Sequence, residues 1–195
     1  MKKICWISLF IISLISCSSI SKIIPGQNET ENSNLYYEYY NLANEFYSLQ
    51  KYDKALDYYT KAMDNQELYW DSYYKIAIIH SYNQEYKKSI EMFTVLLHRD
   101  EKNISIKSSI AYMQAMDGNF EESIKIYKEL ITENPEDFAD LENLICIYFQ
   151  LKDYTNAQEY FNHLKTLYPD SKKIPDFEKE LEKSKSSSES GTDKQ

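Results

Sequence analysis

The chain has 195 residues, of which only three are glycine and four are proline. So few turn-forming residues favour helices over a sheet, and the wide separation of Gly26, Gly118 and Gly191 excludes the glycine-rich loops that hold nucleotide phosphates. The formal net charge of −9 has the wrong sign for binding a phosphate backbone through counterion release, so nucleic acid is not expected as a partner.

The N-terminus has the features of an export signal. A basic start at Lys2 and Lys3 is followed by an apolar run over residues 4–15, and the small residue Ser16 precedes Cys17. The run is too short to span a bilayer as a helix. Residues 1–16 are therefore predicted to be a signal peptide that is removed on export.

The segment Leu14-Ile15-Ser16-Cys17 resembles the lipobox of bacterial lipoproteins. The resemblance implies that the Cys17 thiol is acylated, for example with palmitate, and that cleavage occurs directly before it. Two or three acyl chains anchor a protein stably, whereas one chain holds it only marginally. We expect a lipid-anchored protein of the bacterial cell envelope; the alternatives are a plain signal peptide and an uncleaved anchor.

Ser18 favours the outer membrane, at its periplasmic face or at the cell surface, over the inner membrane. It stands where the lipoproteins retained in the inner membrane of enteric bacteria carry aspartate. The rest of residues 17–35 is mostly polar, and this composition predicts a flexible tether that follows the lipidated cysteine.

Cysteine usage indicates a core without disulfides. Cys5 would leave with the signal peptide and Cys17 would carry lipid, which leaves Cys146. Cys146 lies in an apolar segment, and we expect it to be a small buried residue of the core and not a nucleophile.

A 34-residue period runs through residues 36–171. Aromatic and small residues recur at this interval: Tyr52, Tyr86, Phe120 and Tyr154; Ala55, Ser89, Ser123 and Ala157; Tyr59, Phe93, Tyr127 and Phe161. The period divides this part of the chain into four units without a gap, at 36–69, 70–103, 104–137 and 138–171. Such regularity predicts a repeat protein.

The unit resembles the tetratricopeptide repeat (TPR), a helix-turn-helix motif of the same length. The first unit carries its signature with Tyr39, Leu42, Ala43, Phe46, Tyr52, Ala55, Tyr59 and Ala62. Ser89 and Ser123 depart from the alanine of the family. The resemblance implies an all-α solenoid of four helix-turn-helix units.

The ends of such a solenoid need caps, because no unit can bury its apolar face alone. Residues 172–185 carry Ile174, Phe177 and Leu181 at helical spacing, which predicts a C-terminal capping helix. The polar composition of residues 186–195 predicts a disordered tail.

In the TPR family the first helices of successive units line a concave groove, chiefly through positions 2, 5, 9, 12 and 13 of the unit. The candidate groove residues at these positions are Tyr37, Tyr40, Asn44, Tyr47, Tyr74, Ile78, Tyr82, Tyr112, Met116 and Phe149. Tyrosine buries much area at low entropic cost, so this set predicts binding of a protein or peptide. The alternative is that the rings only pack against one another.

Catalysis and metal binding have no support in the sequence. His80, His98 and His163 are isolated and lack chelating spacing. We expect no enzyme, cofactor or metal. The resemblances together imply a membrane-anchored interaction scaffold, and fold analogy suggests envelope or outer-membrane assembly. Alternatives are a surface-exposed lipoprotein that binds an external ligand or host component, and an accessory that holds a catalytic partner.

Overall fold

The computed structural model describes the backbone of residues 27–135 and 137–189, and the side chains of residues 34–135 and 137–184. The predicted signal peptide 1–16, the lipidation site Cys17, tether residues 18–26 and tail residues 190–195 lie outside these ranges.

The described residues form nine α-helices and no strand, which confirms the predicted all-α solenoid. The helices are α1 (Gln27–Ser48), α2 (Tyr52–Ala62), α3 (Tyr69–Tyr82), α4 (Tyr86–Arg99), α5 (Ile104–Met116), α6 (Phe120–Glu133), α7 (Phe138–Gln150), α8 (Tyr154–Leu167) and α9 (Ile174–Glu189). From α1 to α8 they form four antiparallel pairs, and the second helix of each pair packs on the first helix of the next.

The turn inside each pair recurs with the period of the sequence. Gln50, Gln84, Gly118 and Lys152 have positive φ angles of 56°, 62°, 86° and 57°. The amide of the residue after each of them donates to a carbonyl five residues back, from Lys51 to Phe46 and from Glu85 to His80 in the first two turns. This is the Schellman ending of a helix, which needs a left-handed residue. Only Gly118 meets that need without steric cost.

The departures from alanine at Ser89 and Ser123 have a structural explanation. The buried Ser89 hydroxyl donates to the carbonyl of Ala77 at 2.8 Å, and the Ser123 hydroxyl donates to the carbonyl of Ala111 at 2.7 Å. A small residue is needed where the two helices of a pair cross. Serine is small enough, and its buried hydroxyl has a hydrogen-bond acceptor in the backbone of the paired helix. The same hydrogen bond thus joins the paired helices in the second and third units.

Two predicted boundaries differ from the structure. Helix α1 begins at Gln27, so residues 27–35, predicted to be tether, are helical. The reason is that no glycine or proline interrupts the chain between Pro25-Gly26 and the end of α1. At the other end α9 extends to Glu189, into the predicted tail 186–195.

The predicted capping helix is present as α9. Its Phe177 and Leu181 are buried in the core cluster that contains Leu144, Phe161 and Leu164 of the last helix pair. Within the described ranges, none of the helices combines the length and the apolar character that a membrane crossing would require.

Candidate binding face

The first helices of the four pairs carry all ten candidate groove residues. We call the surface formed by α1, α3, α5 and α7 the first-helix face. Five of the candidates are exposed there: Tyr37, Tyr74, Tyr82, Tyr112 and Met116. The other five are only partly exposed: Tyr40, Asn44, Tyr47, Ile78 and Phe149.

Packing inside the solenoid accounts for most of the partly exposed set. The Tyr40 ring meets the buried Tyr59 ring edge-on, with the centroids 5.6 Å apart. The Phe149 centroid lies 5.6 Å from that of Phe177 in α9, and Ile78 packs on the core cluster around Phe93. These side chains support the fold and offer a partner little surface.

Asn44 has an internal partner. Its Oδ1 accepts a 2.6 Å hydrogen bond from the hydroxyl of Tyr59, a fully buried residue of α2. Burial raises the pKa of Tyr59, as does the neighbouring Tyr40, so the hydroxyl keeps its proton to donate. Asn44 therefore satisfies a buried donor of the first unit.

Three tyrosines, Tyr47 and Tyr82 of this face and Tyr52 at the start of α2, join the first two units. The rings of Tyr52 and Tyr82 are stacked, 4.9 Å apart and 8° from parallel. Tyr47 contacts both rings, and the Lys75 ammonium lies 5.4 Å from the Tyr47 centroid. Burial raises the pKa of Tyr47. Tyr82 is exposed even though its ring contacts Tyr47 and Tyr52. These contacts fix the position of the ring before a partner binds.

A small pocket opens on the face between α5 and α7. It has a volume of about 100 Å³. Its lining residues are Tyr112, Ala115, Met116, Tyr127, Asn143, Cys146, Ile147 and Gln150. This volume corresponds to roughly three waters, or to one small side chain of a partner. Among the candidate residues, Tyr112 and Met116 are thus brought together at one concave site.

The pocket includes a buried polar group. Tyr127 is fully buried, and its hydroxyl has no hydrogen-bond partner within the described ranges. Burial raises the pKa of Tyr127 and the Asp140 carboxylate raises it further, whereas the Asn143 side chain lies near enough to the hydroxyl to lower it, although the two form no hydrogen bond of ordinary geometry. A neutral phenol that lacks an acceptor is costly inside a protein. This hydroxyl marks the third unit as different from the first.

The prediction that Cys146 is buried in the core is wrong. Cys146 is exposed. It occupies position 9 of its unit, where Tyr112 is also exposed and Asn44 and Ile78 are partly exposed. Desolvation by the surrounding protein raises the pKa of the Cys146 thiol, and Lys173 opposes this effect. Cys146 and Gln150 are positions 9 and 13 of the fourth unit, and these positions predict that both residues lie on the first-helix face. The prediction of a buried Cys146 relied instead on its apolar neighbours in the sequence.

A buried carboxylate lies beneath the same region. Asp140, at the start of α7, accepts a 2.5 Å hydrogen bond from the Ser108 hydroxyl of α5. Burial raises the pKa of Asp140, and the Ser108 hydrogen bond offsets part of that rise. The side chain connects the first helices of the third and fourth units.

The histidines are dispersed in the structure. His80 is hydrogen-bonded to Glu85 at the turn that ends α3, and His98 and His163 are exposed on α4 and α8. Within residues 34–135 and 137–184, no group of three or more histidine, cysteine or acidic side chains could hold a metal ion.

Two family models match the chain. Both describe the tetratricopeptide repeat, one over residues 40–104 and the other over residues 146–171. No catalytic family is indicated. No curated protein matches the chain by sequence.

Solved structures share the fold at low sequence identity. A tetratricopeptide repeat protein from Parabacteroides merdae is 22% identical, with a TM-score of 0.66 over 78% of this chain, and the chain covers 60% of that protein. MamA from Desulfovibrio magneticus is 14% identical, with a TM-score of 0.61 over 69% of this chain and 76% of its own. YrrB, a TPR protein with an unusual peptide-binding site, is 18% identical, with a TM-score of 0.53 over 67% of this chain and 68% of its own.

Proposed function

Because this chain is a tetratricopeptide-repeat protein, we propose that it is an interaction scaffold that binds a protein or peptide segment on its first-helix face. The observation that carries the proposal is the row of exposed rings at Tyr74, Tyr82 and Tyr112. Tyr74 rests edge-on against the buried Phe93 at 5.8 Å, and Tyr82 stacks on Tyr52. Exposed aromatic side chains held in place are typical binding hot spots.

The pocket beside Tyr112 supports the same site. It provides a concavity on this face, and the flexible Met116 is part of its lining. Methionine adapts its shape to different partners, while tyrosine provides rigid contact area. YrrB has a peptide-binding site on a related fold, which makes a peptide the first ligand to test.

Peptides selected from a display library against the full chain provide the test. We expect the triple variant Tyr74→Ala, Tyr82→Ala and Tyr112→Ala to bind selected peptides at least about tenfold more weakly, since hot-spot truncations cost about 2 kcal/mol or more. Val95→Ala is the matched control, because Val95 is also exposed but lies on α4, a second helix. Equal binding by the triple variant would show that the face is not the site.

Modification of Cys146 gives an independent readout. A peptide seated over the pocket is expected to slow alkylation of the exposed Cys146 thiol, followed at that residue by mass spectrometry. A peptide that binds without slowing it occupies another surface.

We further propose that the scaffold is lipid-anchored through Cys17 in the bacterial envelope. The support is the sequence order of basic start, apolar run and Leu14-Ile15-Ser16-Cys17. Cys17→Ala is expected to abolish incorporation of a palmitate analogue and to release the protein from the membrane fraction. Cys5→Ala, a change inside the predicted signal peptide, is the control and is expected to leave anchoring intact. Continued lipid labelling of Cys17→Ala would contradict the anchor.

Envelope or outer-membrane assembly is the process that this arrangement suggests. The competing function is surface display, in which the face binds an external ligand or host component. Protease added to intact cells separates the two locations, because it degrades a displayed scaffold and spares a periplasmic one.

A further inference from the structure

The N-terminal end of the solenoid exposes a surface that is buried at every other unit. Leu42 is 37% exposed, whereas its equivalents in the three following units, Ile76, Ile110 and Leu144, are 5%, 8% and 0% exposed. Those three pack against the preceding unit. The described residues provide no unit ahead of α1, so Leu42 lies on an apolar face without a partner.

This apolar face has the spacing of a coiled-coil helix. Leu35, Tyr39, Leu42, Phe46 and Leu49 follow one another at intervals of four, three, four and three residues along α1 and its end. We call these five residues the α1 seam. Leu35 and Leu49 are 40% and 61% exposed. In heptad terms the three leucines take position d and the two aromatic residues position a, which is the pattern that pairs two helices. The Tyr39 and Phe46 rings also contact the Tyr58 ring of α2, with centroids 6.0 and 5.4 Å apart, so the exposed residues of the seam are its three leucines.

The two ends of the solenoid differ. At the C-terminal end Phe177 and Leu181 of α9 cover the last unit. At the N-terminal end α1 continues from Leu35 back to Gln27, about 12 Å at the rise of an α-helix. The first residue of α1, Gln27, is therefore about 12 Å from Leu35, the nearest residue of the seam, and farther from Leu42 and Leu49.

Charges along the seam are arranged in two opposite rows. Glu38 and Glu45 follow one edge of the seam on α1, and both are exposed. On the other edge the ammonium groups of Lys54 and Lys61 on α2 lie 5.3 Å from the Phe46 centroid and 5.8 Å from the Tyr39 centroid. Lys61 also forms a 2.7 Å ion pair with the exposed Asp57 of α2. One edge of the seam is thus acidic, and the other carries two lysines, of which Lys61 is shared with Asp57.

We propose that the α1 seam binds a second copy of this chain, with the two α1 helices parallel. A two-fold axis along parallel helices brings the acidic edge of one copy against the basic edge of the other. Antiparallel helices would set Glu38 and Glu45 against the same residues of the partner, which like-charge repulsion disfavours. Parallel pairing also places both N-termini at the same end of the dimer, so two lipid anchors could enter one membrane.

Cysteine crosslinking of the full chain tests the pairing and its direction. In a Cys146→Ser background, Leu35→Cys and Leu49→Cys are each expected to form an intermolecular disulfide on mild oxidation, because equal positions face each other in a parallel pair. Asn41→Cys, on an exposed part of α1 away from the seam, is the matched control. Crosslinking at or below the control level overturns the proposal. Crosslinking only in a mixture of the Leu35→Cys and Leu49→Cys chains overturns the parallel arrangement.

Analytical ultracentrifugation in detergent provides a second measurement. The native chain is expected at the mass of a dimer, and Leu42→Lys with Leu49→Lys at half that mass with unchanged helical circular dichroism. Leu167→Lys, which replaces an exposed leucine on α8, is expected to stay dimeric. A native chain of monomer mass overturns the proposal, including the case in which residues before Gln27 cover the seam. The triple tyrosine variant is expected to remain dimeric, so failure of peptide binding and failure of pairing are distinguishable.

Discussion

The hydroxyl of Tyr59 donates a 2.6 Å hydrogen bond to Oδ1 of Asn44 and so connects α2 to α1. Tyr127 occupies the same position two units later, but Tyr112 stands where the first unit has Asn44. The Tyr127 hydroxyl thus lacks the acceptor that the first unit provides, and it makes no hydrogen bond of ordinary geometry within the described ranges. It lies near Asn143, in the lining of the pocket to which Tyr112 also contributes. Asn44 of the first unit and Tyr112 of the third unit are equivalent positions, but Asn44 makes a structural hydrogen bond whereas Tyr112 lines a candidate binding site.

Loss of the Asn44 acceptor is expected to destabilise the fold. Asn44→Ala leaves the buried Tyr59 hydroxyl unpaired, which costs about 1–3 kcal/mol in the free energy of unfolding. Adding Tyr59→Phe removes the unpaired donor and is expected to recover part of that loss. Urea unfolding of the two single variants and the double variant measures the coupling. Strictly additive effects would contradict a direct role for the hydrogen bond.

The serine at the helix crossing is expected to tolerate alanine and to reject larger residues. Ser89→Ala should change the free energy of unfolding by no more than about 1 kcal/mol, because it removes the hydroxyl donor and leaves only the Ala77 carbonyl, an acceptor, without this bond. Alanine already stands at the equivalent positions Ala55 and Ala157. Ser89→Leu should cost about 1–3 kcal/mol or more, because the fully buried site has no room for it. Thermal unfolding compares the two, and equal loss in both would contradict a steric limit.

The contacts of α9 are expected to stabilise chiefly the last unit. Phe177→Ala should cost about 3–5 kcal/mol, and Leu181→Ala about 2–5 kcal/mol, because both side chains are buried. Repeats interact mainly with their neighbours, so hydrogen exchange should accelerate more in α7 and α8 than in α1 and α2. Glu182→Ala, an exposed change in the same helix, serves as the control. Uniform acceleration along the solenoid would indicate that the cap acts globally.

Asp140 is expected to make stability depend on pH. Burial raises the pKa of this carboxyl above its value in the unfolded chain, so the folded state binds the proton more tightly and stability falls as the pH rises through the folded pKa. Asp140→Asn keeps an acceptor for Ser108 and removes the charge. It should therefore be more stable than the native chain at pH 7, with the advantage lost in acid. Urea unfolding from pH 3 to pH 8 measures this difference, and a pH-independent difference would contradict it.

The sequence by itself determined the repeat, the all-α solenoid and the C-terminal cap. The reason is that the spacing of small and aromatic residues records how each helix packs on its neighbours, and the same geometry recurs in every unit. The repeat also located the candidate face, because register assigns residues such as Tyr74 and Tyr112 to one side of a first helix.

Only the tertiary structure decided which residues on that face are available. Tyr40 shares position 5 of the unit with Tyr74, but Tyr40 is partly buried against Tyr59 whereas Tyr74 is exposed. Phe149 is partly buried against Phe177 of α9. Cys146 is exposed despite apolar neighbours in sequence. The exposure of Leu42 likewise depends on what lies beside it. Burial is a property of the whole assembly of helices, so an identical position in the repeat can be core in one unit and surface in another.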